Sequence, residues 1–276
     1  MLIQITNKCY EGCPHCMQCS HPQGEHMDMA TFKNALRFAQ FLGVSSYIIT
    51  GGEPTEHPQF YDFCETLNRF IKSGKTIGCF TVTSNGTWFP ERKEEMEKLA
   101  QLDHYVGMQV YTNPKWYRDA PFIIEHKDEI GAIPKVIIDT HDIQGMQDLG
   151  RAKTNEKAQD EVANNRYHMS CLNGHLLFKQ TSPTRKLAGL DRQPGVICKP
   201  CVDYKGNVHL SESHLCPSFG NVNDDYMLEI FNNLRDAKPC CQCALGKKFL
   251  TSDNIKIQVA RHLLGFKEPS EYYSKQ

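Results

Sequence analysis

Cys9-Tyr10-Glu11-Gly12-Cys13-Pro14-His15-Cys16 places three thiols within eight residues, directly after a short strand-like segment, Leu2 to Thr6. Three thiolates so close can hold three irons of a [4Fe–4S] cube, since cysteine is the usual cluster ligand and four would close it. With three, one iron stays open to a small molecule, much as a catalytic zinc keeps one position free. An open iron points to chemistry rather than storage. A zinc knuckle, or thiols clustered by chance, also fits so short a spacing.

Further on, Ser46-Tyr47-Ile48-Ile49-Thr50-Gly51-Gly52-Glu53-Pro54 reads as a β-branched strand ending in a glycine turn. Between the two motifs the pattern predicts a loop and one helix, Thr31 to Leu42. In this order the motifs resemble the radical S-adenosylmethionine (radical SAM) superfamily. The resemblance implies a [4Fe–4S] cluster on Cys9, Cys13 and Cys16 whose open iron chelates the amino and carboxylate groups of SAM. An electron from the reduced cluster would then cleave the sulfonium to a 5′-deoxyadenosyl radical. Gly51, Gly52, Glu53 and Pro54 are expected at the SAM amino group. Glycines permit close backbone approach there, and a carboxylate can accept from an ammonium.

His15 stands where the family usually has a larger aromatic, and it is expected in the cofactor pocket. Thr83-Ser84-Asn85-Gly86-Thr87 is on its own an Asn-Gly turn after a strand. The resemblance places Ser84 and Asn85 near the SAM ribose or carboxylate, groups that a hydroxyl and an amide suit. Gln109 and Tyr111 end another predicted strand, as polar or packed termini or as contacts to SAM or substrate.

The chain alternates strand-like and helix-like segments up to about residue 150, the signature of a parallel sheet wrapped by helices. Strands are predicted at Leu2–Thr6, Tyr47–Thr50, Ile77–Thr83, Tyr105–Val110 and Lys135–Asp139. Helices are predicted at Thr31–Leu42, Gln59–Lys72, Glu91–Leu102, Pro121–Glu129 and Glu156–Arg166. The fold class is therefore α/β, a partial (β/α)6-type barrel over residues 1–153, followed by a small cysteine-rich extension over 154–276. Five strands are one short of the resemblance's six; either one βα unit is abbreviated or a strand lies near His175–Gln180.

The formal charge is −1 and no basic stripe stands out, so nothing points to nucleic acid. No apolar stretch is long enough to span a bilayer, and Met1 leads into the first strand without a signal peptide. Thirteen cysteines in such a chain favour metal ligation over disulfides and a cytoplasmic, reducing home.

In the extension, Cys198-Lys199-Pro200-Cys201 and Cys240-Cys241-Gln242-Cys243 are two CxxC pairs, with Cys216 between them and Cys171 before. Paired in this way they read as one metal site, and four thiolates suit zinc or an iron–sulfur cluster equally. The run Val202-Asp203-Tyr204-Lys205-Gly206-Asn207-Val208, with Phe219-Gly220-Asn221-Val222 and Leu228-Glu229-Ile230-Phe231 after it, resembles the SPASM or twitch extensions of radical SAM enzymes. Those carry auxiliary [4Fe–4S] clusters. Ser211 and Glu212 stand where the pattern has a cysteine, so one auxiliary cluster is expected, on ligands drawn from Cys198, Cys201, Cys216, Cys240 and Cys243. Cys171 and Cys241 are reserves, Cys19 is read as a nearby thiol, and Cys64 and Cys79 as small buried hydrophobes.

These readings converge on an enzyme that abstracts a substrate hydrogen, with a peptide or protein side chain as the leading substrate class. A radical SAM enzyme acting on a sugar, nucleoside or cofactor precursor is the alternative. A non-catalytic iron–sulfur sensor is the reading from another class. Flavodoxin or ferredoxin is the expected electron donor. No general acid or base is assigned; Asp119, Asp139, His141 and Tyr111 lie near strand ends or the loops that follow.

Overall fold

The computed structural model describes residues 1–76, 78–142, 149–164, 200–210 and 213–236. Cys171, Cys198, Cys240, Cys241 and Cys243 lie outside the described residues, as do Ser211, Glu212 and the 175–180 segment.

Strands β1 (Leu2–Gln4), β2 (Ser46–Thr50), β3 (Cys79–Ser84), β4 (Tyr105–Tyr111) and β5 (Val136–Asp139) form consecutive parallel neighbours. On the other side of β1 stand β6 (Cys201–Val202) and β7 (Val208–His209), giving a seven-stranded sheet of order β5-β4-β3-β2-β1-β6-β7. β6 runs parallel to β1 and antiparallel to β7. The sixth parallel strand among the described residues thus comes from the segment read as the extension, and it extends the core sheet beyond β1 instead of beyond β5.

The sheet has two unlike faces because strand side chains alternate. Ile3, Tyr47, Ile49, Phe80, Val82, Met108 and Val110 are buried in the hydrophobic core. That core is closed by α1 (Met29–Phe41) and α2 (Phe60–Lys72). Phe32, Ala35, Leu36 and Ala39 of α1, and Phe60, Phe63, Cys64, Leu67 and Ile71 of α2, recur at helical spacing and are buried. Asp28 caps α1, its carboxylate accepting from the Thr31 N–H at 2.7 Å. Cys64 is fully buried as expected, whereas Cys79 is half-buried at the start of β3.

The other helices are shorter than the sequence pattern suggests. The Glu91–Leu102 pattern yields α3 (Lys93–Leu99), and Pro121–Glu129 yields two short helices, α4 (Ala120–Glu125) and α5 (Lys127–Gly131). They part at His126, which caps the end of one and the start of the other. After β5, a 3₁₀ turn (Gly150–Thr154) leads into α6 (Glu156–Asn164), and α7 (Met227–Asp236) follows the β6–β7 hairpin.

Candidate active site

The opposite face of the sheet borders a cavity of about 680 Å³. Leu2, Ile48, Thr50, Thr83, Tyr111 and Asp139 line it from the strands. It lies toward the carboxyl ends of the strands, where parallel sheets place their ligand sites. Cys9, Cys13 and Cys16 form part of the wall, together with His15, Gly51, Gly52, Ser84 and Asn85. The two sequence motifs and the turn after β3 therefore meet in one place. Glu53 and Pro54 are buried but do not line the cavity.

The glycine turn is stitched to the segment that leads into the cysteines. Gly52 N–H donates to Thr6 O and Glu53 N–H to Lys8 O, each at 2.8 Å. A Cβ on Gly51 would lie 2.8 Å from Thr6 O, and one on Gly52 would run into the Lys8 carbonyl. The glycines are needed for this backbone-to-backbone approach.

Glu53, 1% exposed, ties the turn to the end of β3. Its Oε1 accepts from Thr55 Oγ1 at 2.7 Å, Ser84 Oγ at 2.9 Å and Thr55 N–H at 3.2 Å. Its Oε2 accepts from the Asn85 N–H at 2.8 Å. Burial pushes the carboxyl above its ordinary value, and these donors pull the other way without cancelling the shift. Glu53 thus organises the turn from behind, and its expected contact to an ammonium would have to be made around this internal network. Asn85 reaches the cysteines: its Nδ2 lies 3.8 Å from Cys9 Sγ.

Burial pushes the Cys9 thiol up to about 12 and also raises that of Cys13, and the neighbouring thiols and Glu11 or Glu53 add to both shifts. Packed, half-dry thiols of this kind ionise when a cation is present to hold them. Glu11, 4% exposed, bridges this loop to the loop before α4, accepting from the Asp119 N–H at 3.0 Å. Burial raises its carboxyl. Asp119 is paired with Arg118 at 3.0 Å, which holds its carboxyl low. That pairing makes Asp119 part of the loop scaffold.

His15 sits edge-on to Trp116 and Tyr117, with ring centroids 5.5 and 5.0 Å away. Burial, with Arg151 nearby, lowers its ring to about 4, so it is a neutral aromatic wall at neutral pH. Elsewhere in the cavity lining, Asp139 Oδ1 faces His141 Nδ1 at 2.8 Å and Oδ2 accepts from Gln109 Nε2 at 2.9 Å. A carboxylate only accepts, so His141 Nδ1 is the donor in this contact.

Sequence reasoning missed Arg151. Its guanidinium borders the cavity and donates to Cys13 O and Ser20 O, each at 2.8 Å. No pattern around Leu149-Gly150-Arg151 marks it; only the preceding glycine hints at a tight approach. Of the extension's proposed ligands, Cys201 is fully buried in β6 beside Leu2, and Cys216 is half-buried in the turn after β7. Among the described residues no three histidine, cysteine or carboxylate side chains, Cys9, Cys13 and Cys16 included, gather closely enough to hold a single metal ion; a [4Fe–4S] cube spreads its thiolates over separate irons.

The family model described as the Radical SAM superfamily matches residues 3–120. The chain is 29% identical over 108 residues to the PqqA peptide cyclase of Ruegeria pomeroyi, covering 38% of this chain and 27% of that protein. It is 28% identical over 102 residues to a probable GTP 3′,8-cyclase of Thermoplasma volcanium, covering 37% of this chain and 29% of that protein. The chain thus spans less than a third of the length of these curated relatives. The crystal structure of Streptococcus suis SuiB bound to the precursor peptide SuiA superposes with a TM-score of 0.53 at 12% identity, covering 97% of this chain and 73% of that one. At that identity the likeness is one of fold.

A [4Fe–4S] cluster and SAM, the groups that the resemblance implies, would fit the residues present. Three thiols share one wall, a backbone cradle stands beside them with no room for a Cβ, and a guanidinium borders the same cavity. No helix among the described residues is long and apolar enough to cross a membrane.

Proposed function

We propose that this chain is a radical SAM enzyme that abstracts hydrogen from a peptide or protein side chain. The observation that carries the enzyme reading is the meeting of Cys9, Cys13 and Cys16 with Gly51, Gly52, Ser84 and Asn85 around one cavity. When bound, a [4Fe–4S] cluster with an open iron supplies the electron that cleaves SAM to a 5′-deoxyadenosyl radical. Cys9, Cys13 and Cys16 would hold that cluster, with Asn85 Nδ2 directed at the Cys9 sulfur. The Gly51–Gly52 backbone edge would take the SAM ammonium, while Ser84, Asn85 and the Arg151 guanidinium supply partners for hydroxyls and a carboxylate. His15, neutral and packed on Trp116 and Tyr117, would form an apolar wall that keeps water from the reacting carbon. Tyr111, Asp139 and His141 also line the cavity and would face a substrate there.

Resemblance to a peptide cyclase and to the extensions of peptide-modifying enzymes supports a peptide substrate. Resemblance to a nucleotide cyclase supports the small-molecule alternative. Anaerobic incubation with SAM, dithionite and peptides encoded by neighbouring genes separates the two. A mass change in a peptide is expected; a change confined to nucleosides or sugars offered in parallel would overturn the peptide assignment. Flavodoxin or ferredoxin is the proposed donor in a reducing cytoplasm.

We further propose one auxiliary cluster on ligands drawn from Cys198, Cys201, Cys216, Cys240 and Cys243. Iron and sulfide near eight per chain would support it, and a count near four, or zinc in its place, would remove it. The double variant Cys240→Ala/Cys243→Ala is expected to lower the count by about half.

A further inference from the structure

The loop that carries Cys13 and Cys16 is gripped from outside the segment matched by the family model. Arg151 donates through Nε to Cys13 O and through Nη1 to Ser20 O, each at 2.8 Å. Its backbone N–H donates to Cys16 O at 3.0 Å. The Cys13 carbonyl also accepts from Cys16 N–H at 3.2 Å, so the arginine fastens the turn that sets the spacing between two of the thiols. Ser213 Oγ donates to Met17 O at 2.9 Å, capping a further carbonyl of the same loop.

The grip has little slack. Gly150 adopts φ +57°, and a Cβ there would lie 2.5 Å from Cys16 O and 2.9 Å from Met17 C. The other end of the clasp is anchored: Ala152 is fully buried against Trp116 and Ala158, and Gln159 Nε2 donates to Ala152 O at 2.8 Å. A guanidinium is a planar fork with five donors, so one side chain can span two carbonyls; an ammonium has no such fixed geometry.

We propose that Arg151 is a positioning residue that fixes the shape of the Cys13–Ser20 loop before any metal arrives. A loop organised in advance does not lose its conformational entropy at the moment of metal binding, so the site assembles faster and holds iron more tightly. This deepens the radical SAM reading in one respect only, by naming what shapes its cluster site.

The test uses the full chain without metal, under anaerobic conditions, as unvaried protein, Arg151→Lys and Arg151→Gln. Hydrogen exchange across residues 14–20 is compared with a control segment in β3. Arg151→Gln is expected to exchange at least tenfold faster in the loop, with Arg151→Lys intermediate and the control unchanged. Ferrous iron and sulfide are then added; Arg151→Gln is expected to build its cluster at least tenfold more slowly, with partial rescue by lysine. If Arg151→Gln loses protection in the control segment as well, Arg151→Lys with Gly150→Ala decides, since both are expected to loosen the loop selectively. Loop exchange and iron uptake equal to the unvaried protein would overturn the proposal. Absence of iron uptake by the unvaried protein would instead overturn the cluster reading, while the metal-free exchange comparison would still decide the role of Arg151.

Discussion

The Asn85 backbone N–H donates to Glu53 Oε2 at 2.8 Å, joining the turn after β2 to the turn after β3. Both turns reach the cavity, through Gly51 and Gly52 on one side and Ser84 and Asn85 on the other. Glu53 is the fastener between them. Glu53→Gln would turn an amide donor toward groups that are themselves donors, so it should destabilise the fold by about 1–3 kcal/mol. Denaturant unfolding of the metal-free protein reads this directly. An unchanged midpoint would mean that the carboxylate serves the ligand alone.

Gly52→Ala tests the close approach. Its methyl would meet the Lys8 carbonyl, and relief requires separating the turn from the segment that leads to Cys9. A cost of about 1–3 kcal/mol is expected, as for overpacking elsewhere. SAM affinity of the reconstituted protein, measured by calorimetry, should fall with it. Gly12→Ala is the comparison: that glycine has open space around it, so its cost should come from φ +65° alone and stay near 1 kcal/mol. Equal losses of SAM affinity in both variants would contradict the steric account.

Much of this site was legible in the chain because local chemistry dictates it. Three thiols at fixed spacing and a β-branched run ending in two glycines constrain their own surroundings, and both emerge at one rim. Period-3.6 apolar residues likewise marked α1 and α2 closely. The α4–α5 break at His126 was not legible, because nothing local stops the apolar pattern there; the break is a matter of tertiary packing. Nor was β6. Two residues, Cys201 and Val202, carry no periodicity, and their pairing with Leu2 and Ile3 joins positions about two hundred apart. Arg151 belongs to the same class: its partners are backbone carbonyls, which leave no trace in side-chain patterns.

The β6–β7 hairpin carries a buried, hydrogen-bonded carboxylate that predicts a pH dependence. Asp203 Oδ2 lies 3.0 Å from His209 Nε2, both side chains nearly fully buried, and His209 Nδ1 faces Pro217 O at 3.1 Å. Burial acts to raise the Asp203 carboxyl, but bonds from His209 and Asn207 outweigh it and leave it below its ordinary value. A depressed carboxyl contributes stability above its unfolded value, near pH 4, and loses it as pH falls through the folded value. Asp203→Asn should therefore cost about 1–3 kcal/mol at pH 7, as donors lose their charged acceptor. The difference from the unvaried protein should shrink as pH drops below about 4. A gap of the same size at pH 3 and pH 7 would show that the charge of Asp203 is not what holds the hairpin.

The central claim is that the cavity formed by the cysteine loop and the glycine turn cleaves SAM. Release of 5′-deoxyadenosine measures it: protein reconstituted anaerobically with iron and sulfide is given dithionite and SAM, beside a Cys13→Ala variant treated identically. The account predicts release by the unvaried protein and a fall to background in Cys13→Ala. No release from protein that has taken up its iron, or equal release from both, would contradict it.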